Sequence, residues 1–195
     1  MYPIAVVLAL GLAIAFERWL FLVISKRSNR KAFEAMLPAM KNGNFDGLIR
    51  YADSSKAPVS RIVASAASAI KYDSNATRDD ISFAMEESVM EAIPRLEKRT
   101  SYLATLANIA TLLGLLGTII GLIAAFTAVA SAEPSEKATV LSSAISVAMN
   151  TTAFGLIAAI PLLIFHALLV TRTSEIIESI EMAGVKFLNI IARNK

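Results

Sequence analysis

The sequence predicts an all-α, polytopic membrane protein with three transmembrane helices, two of them long and extending into a helical cytoplasmic domain. Three observations predict this class. Of 195 residues, 55% are hydrophobic and only 18% charged, with a mean hydropathy of +0.58; soluble domains carry roughly 25% charged residues. The apolar residues gather in three runs rather than spreading evenly. The basic residues gather between the runs, as they do in loops that stay on the cytoplasmic side of a membrane.

The first transmembrane helix is assigned to residues 1–25, apolar from Pro3 to Ser25 except for Glu17 and Arg18 near its far end. Trp19, then Lys26, Arg27, Arg30 and Lys31, read as an interface anchor and a cytoplasmic flank. A cleaved signal peptide is the rival reading, but no positive n-region precedes the run and no small-x-small site follows it.

A cytoplasmic helical region follows over residues 26–99. Arg30 to Lys41 read as an amphipathic helix ended by Asn42-Gly43, and a short helix covers Phe45 to Ala52. Pro58 opens a third, through Ile62, Ala66, Ala69 and Ile70. Thr77 offers an N-cap, with Asp79 and Asp80 in the first turn, where the helix dipole favours acids. From Thr77 to Ala130 the sequence reads as one helix of about 50 residues, kinked at Pro94. The charges on its solvated part, from Glu86 to Arg99, read as i,i+4 pairs such as Glu87–Glu91–Arg95.

The second transmembrane helix occupies residues 100–131, a periplasmic loop 132–137, the third transmembrane helix 138–170 and a C-terminal cytoplasmic helix 171–195. No charged residue falls between Arg99 and Glu133, or from Ala138 to Thr171. Each uncharged run exceeds what a hydrocarbon core of about 30 Å requires, so the helices tilt or protrude. Lys26 to Arg99 hold 13 Lys and Arg, the loop after the second span holds Lys137 alone, and the tail holds Arg172, Lys186, Arg193 and Lys195. The positive-inside rule therefore puts the N-terminus outside and both the long loop and the tail in the cytoplasm. In the tail, Ile176, Ile177, Ile180, Val185, Leu188 and Ile191 form an apolar face that needs a helical partner.

Composition excludes several functions. There is no cysteine, so thiolate catalysis and Cys-based metal sites are absent, and one histidine cannot make a His-rich site. The pI near 9.3 comes from cytoplasmic flanks interleaved with acids, not from a nucleic-acid-binding tract. No nucleophile–base pair, metal set or phosphate loop marks an enzyme; the glycines from Gly114 to Gly121 lie in an apolar helix and lack the lysine of a P-loop.

The spans themselves carry the candidate site. Ser101, Thr105, Asn108, Thr111, Gly114, Thr118, Gly121 and Ala125 recur every three or four residues, as one stripe on one helix face. Gly117 and Gly121 form a GxxxG pair that favours close helix approach. In the third span Thr139, Ser143, Ser146 and Asn150 share a face; Thr151, Thr152 and Gly155 lie round the helix, and Pro161 lies deeper, where its missing N–H bends the helix or frees a carbonyl. Such residues serve either tight packing or a wet ion pathway; the two stripes together favour the pathway. Neither stripe contains an acid or base. Glu17 and Arg18 are placed at the cytoplasmic interface, and His166 in a structural or interfacial role.

Residues 106–126 (LANIATLLGLLGTIIGLIAAF) resemble the second-span signature of the ExbB/TolQ/MotA proton-channel family, and residues 145–161 (ISVAMNTTAFGLIAAIP) resemble its third-span signature. Tyr2-Pro-Ile, Glu17-Arg18 and Leu96-Glu-Lys also look like this family, and three spans rather than four look like its ExbB/TolQ branch. The resemblance implies a homopentamer in a bacterial inner membrane, surrounding an ExbD/TolR-like dimer that supplies the titrating aspartate, with a TonB-like or TolA-like protein beyond. It implies a stator that conducts H⁺ or Na⁺, with no bound cofactor, to energise a periplasmic or outer-membrane process. Thr118 and Thr152 match the family threonines that would face the partner's aspartate. The glutamate often found five residues before the second threonine is Val147 here, and a frequent proline is Thr111, which straightens the second span and adds a hydroxyl. A non-conducting scaffold for partner assembly is the alternative.

Overall fold

Ile4, Gly11, Ala15, Arg18, Leu22, Ser25, Asn29, Ala32, Met36 and Met40 are all buried. Beyond Gly11 their steps alternate between four and three until the last, the spacing that keeps one face of a helix against its neighbours. They belong to α1 (Tyr2–Lys41), which carries the first apolar run and continues without interruption to Lys41. The structure, a computed structural model, describes residues 1–73 and 75–194. Lys195, counted in the basic tail, lies outside the described residues, as does the side chain of Arg193.

Five further helices follow: α2 (Phe45–Ser54), α3 (Pro58–Tyr72), α4 (Arg78–Glu97), α5 (Thr100–Ser131) and α6 (Lys137–Asn194). Every described element is a helix, and three stretches, Tyr2–Lys41, Arg78–Ser131 and Lys137–Ala192, are long and apolar enough to cross a membrane. Only 17% of the most apolar window in the second of these is buried. Leu112, Ile123 and Ile157 stand more than half exposed, a surface that lipid or protein has to cover. The chain is an all-α polytopic membrane protein.

The helix ends follow local chemistry. Gly43 (φ 64°) closes α1 with Asn44 N–H on the Ala39 carbonyl and Gly43 N–H on that of Met40, a Schellman ending. Asn44 then caps α2 by accepting from Gly47 N–H at 2.9 Å. Pro58 sits in the first turn of α3, whose N-cap Ala57 makes no side-chain hydrogen bond; Asn29 of α1 supplies it, Oδ1 accepting from Val59 N–H at 3.2 Å. Thr77 and Asp80 form a reciprocal capping box at α4.

The single helix expected from Thr77 to Ala130 is two helices. Lys98 (φ −46°, ψ 131°) and Arg99 (φ 65°, ψ −8°) take the backbone of a type II turn between α4 and α5. Pro94 stays inside α4, and the break comes after it. The ion pair expected between Glu91 and Arg95 does not form among the described residues.

The chain divides into two compact units. One comprises Met1–Arg18 and Arg99–Leu169, the other Trp19–Lys98 and the chain from Val170 onward. In the second, α3 buries Val59, Ile62, Val63, Ala66 and Ala67, and α4 buries Ile81, Met85 and Leu96. Ser65 Oγ donates to the Ala84 carbonyl at 3.0 Å. From the later part of α6, Ile176, Ile180, Phe187 and Leu188 join this core, while Val185 is exposed. The apolar face of the tail thus finds most of its partner within the subunit.

Candidate functional site

In the first unit, α5 and α6 approach through glycine. A Cβ built on Gly155 falls 2.8 Å from the Ala110 carbonyl oxygen and 2.9 Å from the Gly114 Cα. A Cβ on Gly121 falls 2.8 Å from that of Ala148, and one on Gly117 meets the Thr151 side chain. These pairs run in opposite chain directions, so the two helices are antiparallel and their backbones nearly touch, which only small residues permit. Leu103, Ala107, Ala110, Gly114 and Ala125 are buried along α5; Ala148, Gly155, Ala158, Ala159 and Leu162 are buried along α6.

The polar and small residues of α5 do not form the single stripe expected. A step of three residues lags the 3.6-residue turn by about 60°, and the row contains four such steps. It therefore winds round the helix. Ser101, Thr105 and Asn108 are exposed on the face away from the seam; Thr111 and Thr118 flank the seam; Gly114, Gly121 and Ala125 lie in it. On α6 the expected face is kept: Thr139, Ser143, Ser146 and Asn150 are on the side away from the seam, all four exposed, while Thr151, Thr152 and Gly155 turn into it. The helix passes through Pro161 unbroken. The structure thus brings Gly114, Gly117, Gly121, Thr151, Thr152 and Gly155 together and leaves Thr105, Asn108, Ser146 and Asn150 outward.

The hydroxyls of Thr105, Thr111, Thr118, Thr151 and Thr152 have backbone acceptors. Thr118 Oγ1 donates to the Leu115 carbonyl at 2.6 Å, Thr111 to Ala107 at 3.1 Å, Thr105 to Ser101 at 3.4 Å and Thr151 to Val147 at 3.2 Å, all within their own helices. Thr152 alone crosses the seam, donating to the Gly114 carbonyl at 3.0 Å. Gly117 faces Thr151, so Thr118, the next residue along α5, stands at the depth of Thr151 and Thr152. With its hydrogen engaged, each hydroxyl offers only lone pairs, which suit a cation or a protonated carboxyl.

No described trio of His, Asp or Glu is grouped to hold a metal ion. Two polar contacts of this unit link residues that sequence reading kept apart. Arg99 Nη1 donates to Glu17 Oε2 at 2.9 Å, so Glu17 is ion-paired. His166 Nδ1 lies 3.0 Å from the Thr100 carbonyl oxygen; a carbonyl only accepts, so Nδ1 carries the hydrogen. The wide separation of the partners in sequence hid both contacts.

A family model, the MotA/TolQ/ExbB proton channel family, matches residues 54–182, roughly two-thirds of the chain. The chain belongs to this family. The match spans α3, α4, α5 and most of α6, including every glycine and threonine of the seam. No individual curated protein matched. Membership in the MotA/TolQ/ExbB family points to an ion-channel subunit of a motor-like complex, an oligomeric channel that works with partner proteins.

Proposed function

We propose that the chain is the channel-forming stator subunit of an ion-driven motor in a bacterial inner membrane, five copies surrounding an ExbD/TolR-like dimer. Ion flow down its gradient protonates and releases the partner's aspartate and turns the dimer within the pentamer, passing work to a periplasmic or outer-membrane process. The ion is H⁺ or Na⁺, since hydroxyl oxygens solvate either, and no catalytic step is assigned to this chain.

The observation that carries this reading is the pair Thr118 and Thr152, at one depth on facing helices, each already donating to a carbonyl. Each oxygen is left free to accept, which is what a neutral carboxyl arriving from a partner needs. The outward polar residues Thr105, Asn108, Ser146 and Asn150 continue the route, and Val147 takes no part in proton transfer. Proteoliposomes holding the chain with its co-expressed partner test it: Thr118→Val or Thr152→Val stops ion-driven flux and leaves assembly intact. Full flux in either variant removes that residue from the route.

The second reading is a non-conducting scaffold. It is favoured by the packing role of Gly114, Gly117, Gly121, Gly155 and Thr151. Absence of flux above empty vesicles, with the partner present, selects it.

A further inference from the structure

In the second unit a cavity of about 350 Å³ opens between the α1 segment around Phe21 and Ile24, the start of α3 and the end of α4. Its wall has two chemistries. Phe21 and Ile24 belong to the last turns of the first apolar run and are 40% and 65% exposed. Lys56, Arg61 and Arg95 line the other side with one acid, Glu91. Among the described residues none of these three cations pairs with a carboxylate, whereas Lys26, Arg30, Lys71, Arg99 and Arg172 all do. Three uncompensated cations against one acid, beside apolar side chains at the end of a membrane span, match an anionic headgroup carrying an acyl chain. The first turn of α3, where Pro58 lines the same cavity, adds the positive end of a helix dipole.

We infer that this cavity binds an anionic phospholipid from the leaflet on the side of the long loop. The phosphate sits among Lys56, Arg61 and Arg95, and the first acyl carbons lie against Phe21 and Ile24. The site needs no ion conduction, only that Phe21 and Ile24 lie at the end of a membrane span.

Native mass spectrometry of the detergent-purified full chain, supplied with equal phosphatidylglycerol and phosphatidylcholine, tests it. The wild type retains phosphatidylglycerol with a preference of at least about tenfold. A variant combining Lys56→Gln, Arg61→Gln and Arg95→Gln, with unchanged helix content by circular dichroism, loses the preference. Glu91→Gln strengthens it, and Lys31→Gln, outside the cavity, leaves it unchanged. If the triple variant does not fold, Arg61→Gln alone weakens the preference several-fold. Equal retention of both lipids, an equal loss in Lys31→Gln, or displacement by millimolar inorganic phosphate overturns the inference.

Discussion

Arg99 and Glu17, 82 residues apart, meet at 2.9 Å while the backbone of Arg99 sits at φ 65°. A non-glycine residue in that region is strained by about 1–2 kcal/mol, and the type II turn it occupies ordinarily takes glycine or asparagine there. Arg99→Ala keeps the strain and loses the pair; Arg99→Gly loses the pair and relieves the strain. In thermal unfolding the alanine variant therefore melts below the glycine variant, by roughly 1 kcal/mol. Glu17→Gln costs about 0.2–1 kcal/mol, because both side chains are about half exposed.

Gly155→Ala pushes a methyl group against the backbone of α5, at the Ala110 oxygen and the Gly114 Cα. Neither atom moves unless the helix moves, so the expected loss is about 1–3 kcal/mol. In Gly11→Ala the atoms nearest the new Cβ all belong to the Leu162 side chain, which yields more readily than backbone. Melting temperatures of the two variants in the same detergent separate rigid from yielding contact: Gly155→Ala falls further.

Thr152→Ser keeps the hydrogen bond to Gly114 and Thr152→Val removes it. Cross-helix bonds of this kind contribute about 0.6 kcal/mol in membranes, so both variants fold. Partner-dependent flux is retained in the serine variant and lost in the valine variant. Equal loss in both traces the defect to packing instead of the hydroxyl.

Asp80 is held below the ordinary aspartate range by the Thr77 hydroxyl and backbone N–H that donate to it. Its folded pKa is depressed, so its contribution is present above the unfolded value, about 3.9, and is lost as pH falls through the folded one. Amide protection factors over the first turns of α4, corrected for the intrinsic exchange rate, should fall on acidification below about pH 4, and Asp80→Asn should remove that dependence. Glu175 behaves alike, lowered first by Lys26 and then by Arg172.

Much of the fold is legible because local chemistry writes it. Thr77 with Asp80, Pro58 at the start of α3 and Gly43 after α1 each mark a helix end through their own backbone. The break at Arg99 is not legible: no glycine, proline or asparagine announces it, and what accompanies it is tertiary, the ion pair to Glu17 and the His166 contact to the next residue's carbonyl. The α3 cap from Asn29, thirty residues upstream, is hidden for the same reason. In the candidate site, Gly117 and Gly121 announce a close approach, but not the partner. That Thr152 answers Gly114 across the seam depends on the register of two helices. The row from Ser101 to Ala125 misleads because steps of three and four look equivalent in sequence, while on a helix they diverge by about 100°.

Where Gly114 meets Gly155, backbone rests on backbone with no layer of side chains between. At that level no rotamer change can absorb a shift of one helix past the other, whereas at Gly117 and Gly121 it is the Thr151 and Ala148 side chains that fill the seam. The closest approach therefore fixes the spacing of the two helices, and the exposed Asn108 and Asn150 stand on the outer faces that this spacing sets apart.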